Sequence, residues 1–256
     1  MFPLRDENPT LGASLVTFLI IGLNALVWVF IQGLGSDFSL AASICEYGLI
    51  PGELLGTALP GTKVPLGDGL ACVLAADASV WSVVTSMFMH GGWFHIVGNM
   101  WFLALFGDNV EDAMGKVRFI LFYLLCGVAA AALQMVTDPR SVVPMVGASG
   151  AISGVMGAYA VLFPRAPVHV LVFFGFYITR FVVPAFLMLG YWFVIQLLGG
   201  IPALAGAGGG VAFWAHVGGF VAGVALAKLL CSTERSAACR ARRGRTEQMV
   251  QRYQRD

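Results

Sequence analysis

The amino-acid sequence predicts an all-α membrane protein: a bundle of six transmembrane helices with a long outer loop between the first and the second. Three observations carry that prediction. Of the 256 residues, 58% are hydrophobic and only 11% are charged, against about 25% charged in soluble domains. Apolar runs of roughly 20 residues recur, the length that crosses a hydrocarbon core about 30 Å thick. Connectors alternate between rich and poor in Lys and Arg, as do loops on the two sides of a bilayer.

The first span runs from about Leu15 to Gln32. Arg5, Asp6 and Glu7 precede it rather than a basic run, so it is expected to stay as an anchor and not to be cleaved. The second runs from Phe94 to Ala113, the third from Val117 to Val136 and the fourth from Gly147 to Leu162. The fifth runs from about Phe181 to Leu198 and the sixth from Phe213 to Leu230. The fourth is short. Its first residues should therefore start below the membrane surface, in a protein-lined cavity where irregular backbone is tolerated.

Orientation follows from the positive residues. Lys116 and Arg118 lie between the second and third spans, and Arg165 and Arg180 between the fourth and fifth. Arg235, Arg240, Arg242, Arg243, Arg245, Arg252 and Arg255 crowd the tail. Both termini are expected to be cytoplasmic, and Ser149 nearer the outer face. The loop from Gly33 to about Met89 then lies outside. Pro51, Pro60 and Pro65 and its apolar runs predict an irregular, partly membrane-embedded lobe. The expected organisation is a cytoplasmic N-terminus at 1–10, a membrane domain at 11–231 and a basic cytoplasmic tail at 232–256. Around Met249, Val250 and Tyr253 that tail has the pattern of a short amphipathic helix, attracted to anionic headgroups.

The sequence holds no CxxC, no HExxH and no acidic ligand set, so no metal and no cofactor is expected, nor a nucleic-acid partner. Cys45 and Cys72 share the outer loop, where an oxidising side would allow a disulfide.

Three groups of polar and small residues stand out in the apolar runs. In His90-Gly91-Gly92-Trp93-Phe94-His95-Ile96-Val97-Gly98-Asn99, the last His and the Asn are four apart and share a helical face. The plain reading of such an Asn is a hydrogen bond between helices. In Gly147-Ala148-Ser149-Gly150-Ala151-Ile152-Ser153-Gly154, Gly150 and Gly154 belong to a smooth stripe that lets membrane helices approach. On packing grounds alone its serines would bond back to the carbonyl four residues earlier. The third group is His216-Val217-Gly218-Gly219-Phe220-Val221-Ala222-Gly223, in which Gly219 and Gly223 share the face of His216.

A histidine inside an apolar helix is costly and points to a function and a partner. The partner expected for His216 is Ser149: if the two glycine faces meet, the imidazole can take the serine proton as general base. No acidic residue lies in the fourth or sixth span, so a Ser–His dyad without a carboxylate is expected. The Ser149 N–H with the His95 and Asn99 side chains could stabilise the oxyanion.

These motifs resemble the rhomboid family of intramembrane serine proteases. The family pattern is His-x4-His-x3-Asn in the second span, Gly-x-Ser-Gly opening the fourth, and a His among small residues in the sixth. Gly107 to Gly115, Pro164-Arg165 and Gln196 also look like the family, and the resemblance covers about Leu11 to Leu230. It implies Ser149 as nucleophile, His216 as base, and His95 and Asn99 at the oxyanion hole. Gly147, Gly150, Gly154, Gly219 and Gly223 would pack the helices around them. It also implies a six-helix fold, a water-filled cavity open outward, and a fifth helix that admits substrate sideways. The substrates would be transmembrane proteins in the lipid bilayer, and the compact chain suits a bacterial inner membrane.

Two departures stand beside the match. Some relatives carry an aromatic residue one turn after the nucleophile, stacked on the histidine, where this chain has Ser153. The Trp-Arg pair that some members carry in the first loop is absent here. The rival reading is a proteolytically inactive, client-binding relative. Such relatives usually lack the serine or the histidine, and both are present.

Overall fold

The computed structural model describes all residues except 68, 175–176, 205–209, 232–233, 236, 239–240 and 242–256. The expected amphipathic tail therefore lies outside the described residues. In chain order the elements are β1 (Phe2–Asp6), α1 (Leu15–Phe30), α2 (Asp37–Tyr47), α3 (Pro51–Leu54), β2 (Lys63–Gly67), β3 (Leu70–Val73) and α4 (Ser82–Thr85). They continue with α5 (Trp93–Met114), α6 (Lys116–Thr137), α7 (Ser149–Leu162), β4 (Pro167–Phe174), β5 (Tyr177–Pro184), α8 (Ala185–Leu204) and α9 (Phe213–Leu230).

By length and composition, α6, α8 and α9 can cross a membrane, whereas α1 and α7 are apolar but shorter. The acids of α5 crowd its last turns, and one of them has a structural use. Glu111 is buried, and its carboxylate accepts from Val16 N at 3.0 Å, Thr17 N at 2.8 Å and Thr17 Oγ1 at 2.8 Å. It caps the start of α1, satisfying backbone donors that have no partner in their own helix, at the end where the dipole favours an anion.

The fold is mostly helical but not all-α. Strands β1, β4 and β5 form an antiparallel sheet in the order β1-β4-β5, and β2 pairs with β3. The fifth long helix accordingly begins at Ala185 and not near Phe181, because Phe181 to Pro184 pair with Val170 to Pro167. The apolar run hid the change of element. Val168, Val170, Val172, Val182 and Val183 are β-branched, but a continuous apolar stretch reads alike as a strand or a buried helix.

The segment between α1 and α5 is also more regular than its prolines suggested. Among its described residues are three short α-helices, two 3-10 turns and a hairpin, tied by a disulfide between Cys45 and Cys72 around a small core of Ile50, Val64, Cys72 and Leu74.

The main core lies between α5, α6 and α7, with Phe106, Phe119, Phe122 and Tyr159 fully buried. Against it, α7 and α9 meet backbone to backbone. A β-carbon on Gly219 would stand 1.9 Å from the Gly150 carbonyl oxygen, and one on Gly223 would stand 2.0 Å from that of Gly154. On the other side of α7, Gly150 faces Ala130 and Gly154 faces Cys126, both of α6. Small residues let these three helices close to distances that side chains would forbid.

Candidate active site

Ser149 is the first residue of α7, and the turn before it requires glycine. Gly147 has φ +125°, and a β-carbon there would sit 2.7 Å from His95 Nε2. Its N–H donates to Ser86 O at 2.9 Å, which ties the turn to the segment ahead of α5. As the first helical residue, Ser149 has a backbone N–H without an acceptor in its own helix, at the positive end of the helix dipole.

The glycine contact between α7 and α9 brings His216, one turn into α9, against Ser149. The Ser149 Oγ to His216 Nε2 distance is 2.7 Å. Behind the ring, His216 Nδ1 lies 2.8 Å from Gln196 Oε1 on α8. The Gln196 amide nitrogen donates to Trp192 O at 3.4 Å, so the carboxamide oxygen faces the imidazole. An acceptor at Nδ1 places the ring hydrogen there. Nε2 is left with a lone pair that accepts from the Ser149 hydroxyl.

Ser153 donates to Ser149 O at 2.6 Å, the back-bond that packing alone predicts. The aromatic neighbour of the imidazole comes from α8 instead: the Trp192 ring lies 5.9 Å from that of His216, tilted by 41°. Trp192 and Gln196 are four apart on one helical face, which lets both reach His216.

On the other side of Ser149 lies His95. The Gly91 N–H donates to His95 Nδ1 at 3.2 Å, which leaves the ring hydrogen on Nε2, the atom that faces Gly147. The His90 ring packs edge-on at 5.2 Å, and burial, helped by His95, pushes its pKa down to about 3, so it adds no charge. Asn99 lies one turn deeper in α5. It is buried, and its Nδ2 has no hydrogen-bond partner among the described residues. A buried amide donor without a protein acceptor is uncommon.

Ser149, His216, His95, Gly147 and Gly150 line one cavity of about 540 Å³, closed elsewhere by apolar groups such as Met87, Ala130 and Met145. Among the described residues, Asn99 does not line it, and neither does any Asp or Glu. Among the described residues, no group of three or more His, Cys, Asp or Glu could hold a metal ion.

Residues 77–233 match the Rhomboid domain family. The chain is 38% identical over 78 residues to RHOMBOID-like protein 6, mitochondrial, of Arabidopsis thaliana, covering 30% of this chain and 25% of that relative. To RHOMBOID-like protein 5 of the same plant it is 32% identical over 105 residues, 41% of this chain and 33% of that relative. To rhomboid protease GluP of Bacillus subtilis it is 36% identical over 85 residues, 33% of this chain and 16% of that relative. The chain thus spans a third or less of the length of each of these three relatives.

Proposed function

The chain belongs to the rhomboid family of membrane proteins, and from that premise we propose that it is an intramembrane serine endopeptidase. It cuts peptide bonds in or near transmembrane segments of other membrane proteins. The observation that carries this reading is the line Ser149 Oγ, His216 Nε2, His216 Nδ1, Gln196 Oε1, with steps of 2.7 and 2.8 Å at the edge of a cavity.

The chemistry follows from those atoms. Ser149 Oγ attacks the scissile carbonyl while His216 Nε2 takes its proton. The imidazolium that forms keeps its Nδ1–H on Gln196, a neutral acceptor in place of a carboxylate. The negative oxygen of the tetrahedral intermediate is met by the Ser149 N–H, the His95 Nε2–H and the Asn99 amide. Losing one such donor costs about 10²–10³ in turnover. When the C–N bond breaks, His216 returns the proton to the leaving amine. Water then repeats the sequence on the acyl ester, and the serine is regenerated. Gly147, Gly150, Gly154, Gly219 and Gly223 act by holding α5, α7 and α9 at the separation this line of atoms needs.

The remaining features complete the proposal. The six long helices are the six spans, both termini are cytoplasmic and the cavity opens to the outer side, in a bacterial inner membrane. Residues 11–231 form the membrane domain, between an N-terminus at 1–10 and a tail at 232–256. A substrate helix must unwind to expose a carbonyl, so helix-weak residues are favoured at the cut.

The test is cleavage of a tagged single-span reporter in proteoliposomes by wild type, Ser149→Ala and His216→Ala. Cleavage by wild type and silence of both folded variants is expected. Equal cleavage by wild type and Ser149→Ala would sink the dyad. A relative that only binds clients would keep its binding in Ser149→Ala and show no labelling of Ser149 by a fluorophosphonate.

A further inference from the structure

Gln32 ends the apolar run of α1 and is fully buried, with 0% exposure. A buried carboxamide is costly unless it is paired, and this one is paired to the backbone of one residue. Its Oε1 accepts from His90 N at 2.8 Å, and its Nε2 donates to His90 O at 2.8 Å. A longer bond of 3.3 Å from Nε2 to Ser43 Oγ uses its second amide hydrogen. Two bonds to the N and O of a single residue copy the pairing of adjacent strands, and they fix both the position and the rotation of the peptide units around His90.

The next residue is Gly91, whose N–H is the donor that sets the His95 ring. Gly91 and Gly92 follow His90 without side chains to restrain them, so the clamp on His90 is what holds that N–H in place. Farther back in the same segment, Ser86 O accepts from Gly147 N. The short stretch from Ser86 to Gly91 therefore touches the turn before Ser149 and orients His95.

We infer that Gln32 is a positioning residue for His95: its carboxamide fixes His90, and through it the Gly91 N–H that keeps the His95 hydrogen on Nε2. The inference rests on the reading of His95 as an oxyanion donor. Without the clamp, Gly91 can turn away and His95 Nδ1 loses its donor. The ring is then free to carry its hydrogen on Nδ1 and to present a lone pair to the oxyanion.

The experiment is a double-mutant cycle on the full chain in proteoliposomes, reading kcat and KM for a tagged single-span reporter. Gln32→Leu should lower kcat by about 10²-fold, the cost of a displacement of about 1 Å near the chemistry, with KM little changed. In a His95→Ala background, Gln32→Leu should cost almost nothing more. An unchanged kcat, or the same loss in both backgrounds, overturns the inference.

If Gln32→Leu fails to fold, Gln32→Glu decides. A protonated carboxyl can accept from His90 N and donate to His90 O, while the ionised form can only accept. The kcat of Gln32→Glu relative to wild type should therefore rise as pH falls from 8 to 6. Division by wild type at each pH removes any pH dependence the two proteins share, whether from the reporter or from the histidines near the site, His90, His95 and His216. A flat ratio overturns the inference. Ser149→Ala, run alongside, should be silent; cleavage that survives it defeats the dyad reading and this inference with it.

Discussion

The pair α7 and α9 and the neighbouring helix α8 hold the same site in different ways. Between α7 and α9 the contact is backbone on backbone, with Gly219 and Gly223 seated on the carbonyls of Gly150 and Gly154. Helix α8 touches the site through side chains, Gln196 and Trp192, while Phe186, Leu187, Val194 and Leu198 are exposed on its surface. The atoms that would make and break bonds sit on the rigid pair. The group that would orient the proposed base, Gln196, sits on the helix with the weaker hold. Proton transfer needs a fixed separation of donor and acceptor, which a backbone-on-backbone contact supplies better than a contact made through two side chains. The Nδ1 partner of His216 therefore depends on how α8 sits, whereas the Nε2 contact with Ser149 depends on the glycine pair.

The largest effect should come from breaking the rigid contact. Gly219→Ala forces a β-carbon into the Gly150 carbonyl, and overpacking of this kind costs about 1–3 kcal/mol or more. Loss of cleavage is expected, with a lower melting temperature in detergent. Gly190→Ala on α8 is the control, because a β-carbon there meets nothing within 4 Å. That variant should fold and cut like wild type, with a slight gain from the better helix former. Equal damage from the two changes would erase the difference between the helices.

Next in size is the orienting contact. Gln196→Leu keeps the apolar bulk of α8 but removes the acceptor at Nδ1, so the ring hydrogen is free to move to Nε2. We expect kcat to fall by about 10²-fold, the lower end of what general-base catalysis contributes. KM and melting temperature should change little. Trp192→Leu should cost less: an aromatic contact is worth about 0.5–1.5 kcal/mol, a loss of up to about tenfold. If Trp192→Leu proves the more harmful, stacking and not the hydrogen bond orients His216.

Much of this was legible in the sequence, for definable reasons. Apolar length marked the long helices, and three short polar motifs singled out Ser149, His216 and His95, which line one cavity, and Asn99, which does not. Costly residues in an apolar setting are conspicuous. Gln196 and Gln32 were less so, since a glutamine carries no charge and its partner cannot be read from spacing. The sheet was not legible, because Phe181 to Val183 run without a break into the apolar helix, Val168 to Val172 is interrupted only by His169, and the pairing of β1 with β4 joins residues more than 150 positions apart. The capping role of Glu111 was hidden likewise, as its partners Val16 and Thr17 lie 95 and 94 residues away.

That sheet bears on the comparison, because β5 runs directly into α8 and gives the weakly held helix one fixed end. The outer strand β1 is held to the rest by Glu7 to His169 at 2.7 Å, Trp101 Nε1 to Pro3 O at 2.8 Å, and Tyr159 O–H to the Asp6 carboxylate. Burial lifts the Asp6 pKa to about 6, and the Tyr159 hydrogen bond only partly opposes it. A carboxyl whose folded pKa lies above its ordinary value of 3.8 adds stability when protonated, and that stability is lost as pH rises through about 6. Asp6→Asn keeps an acceptor for Tyr159 and cannot ionise. Between pH 4.5 and 7.5, wild type should lose more melting temperature than Asp6→Asn, by about 2–4 °C, the shift that about 1 kcal/mol produces in a chain of this size. Parallel melting curves for the two proteins would mean that Asp6 does not titrate within this window. The fixed end of α8 would then be indifferent to pH, and the contrast between the helices would rest on the glycine contact and Gln196 alone.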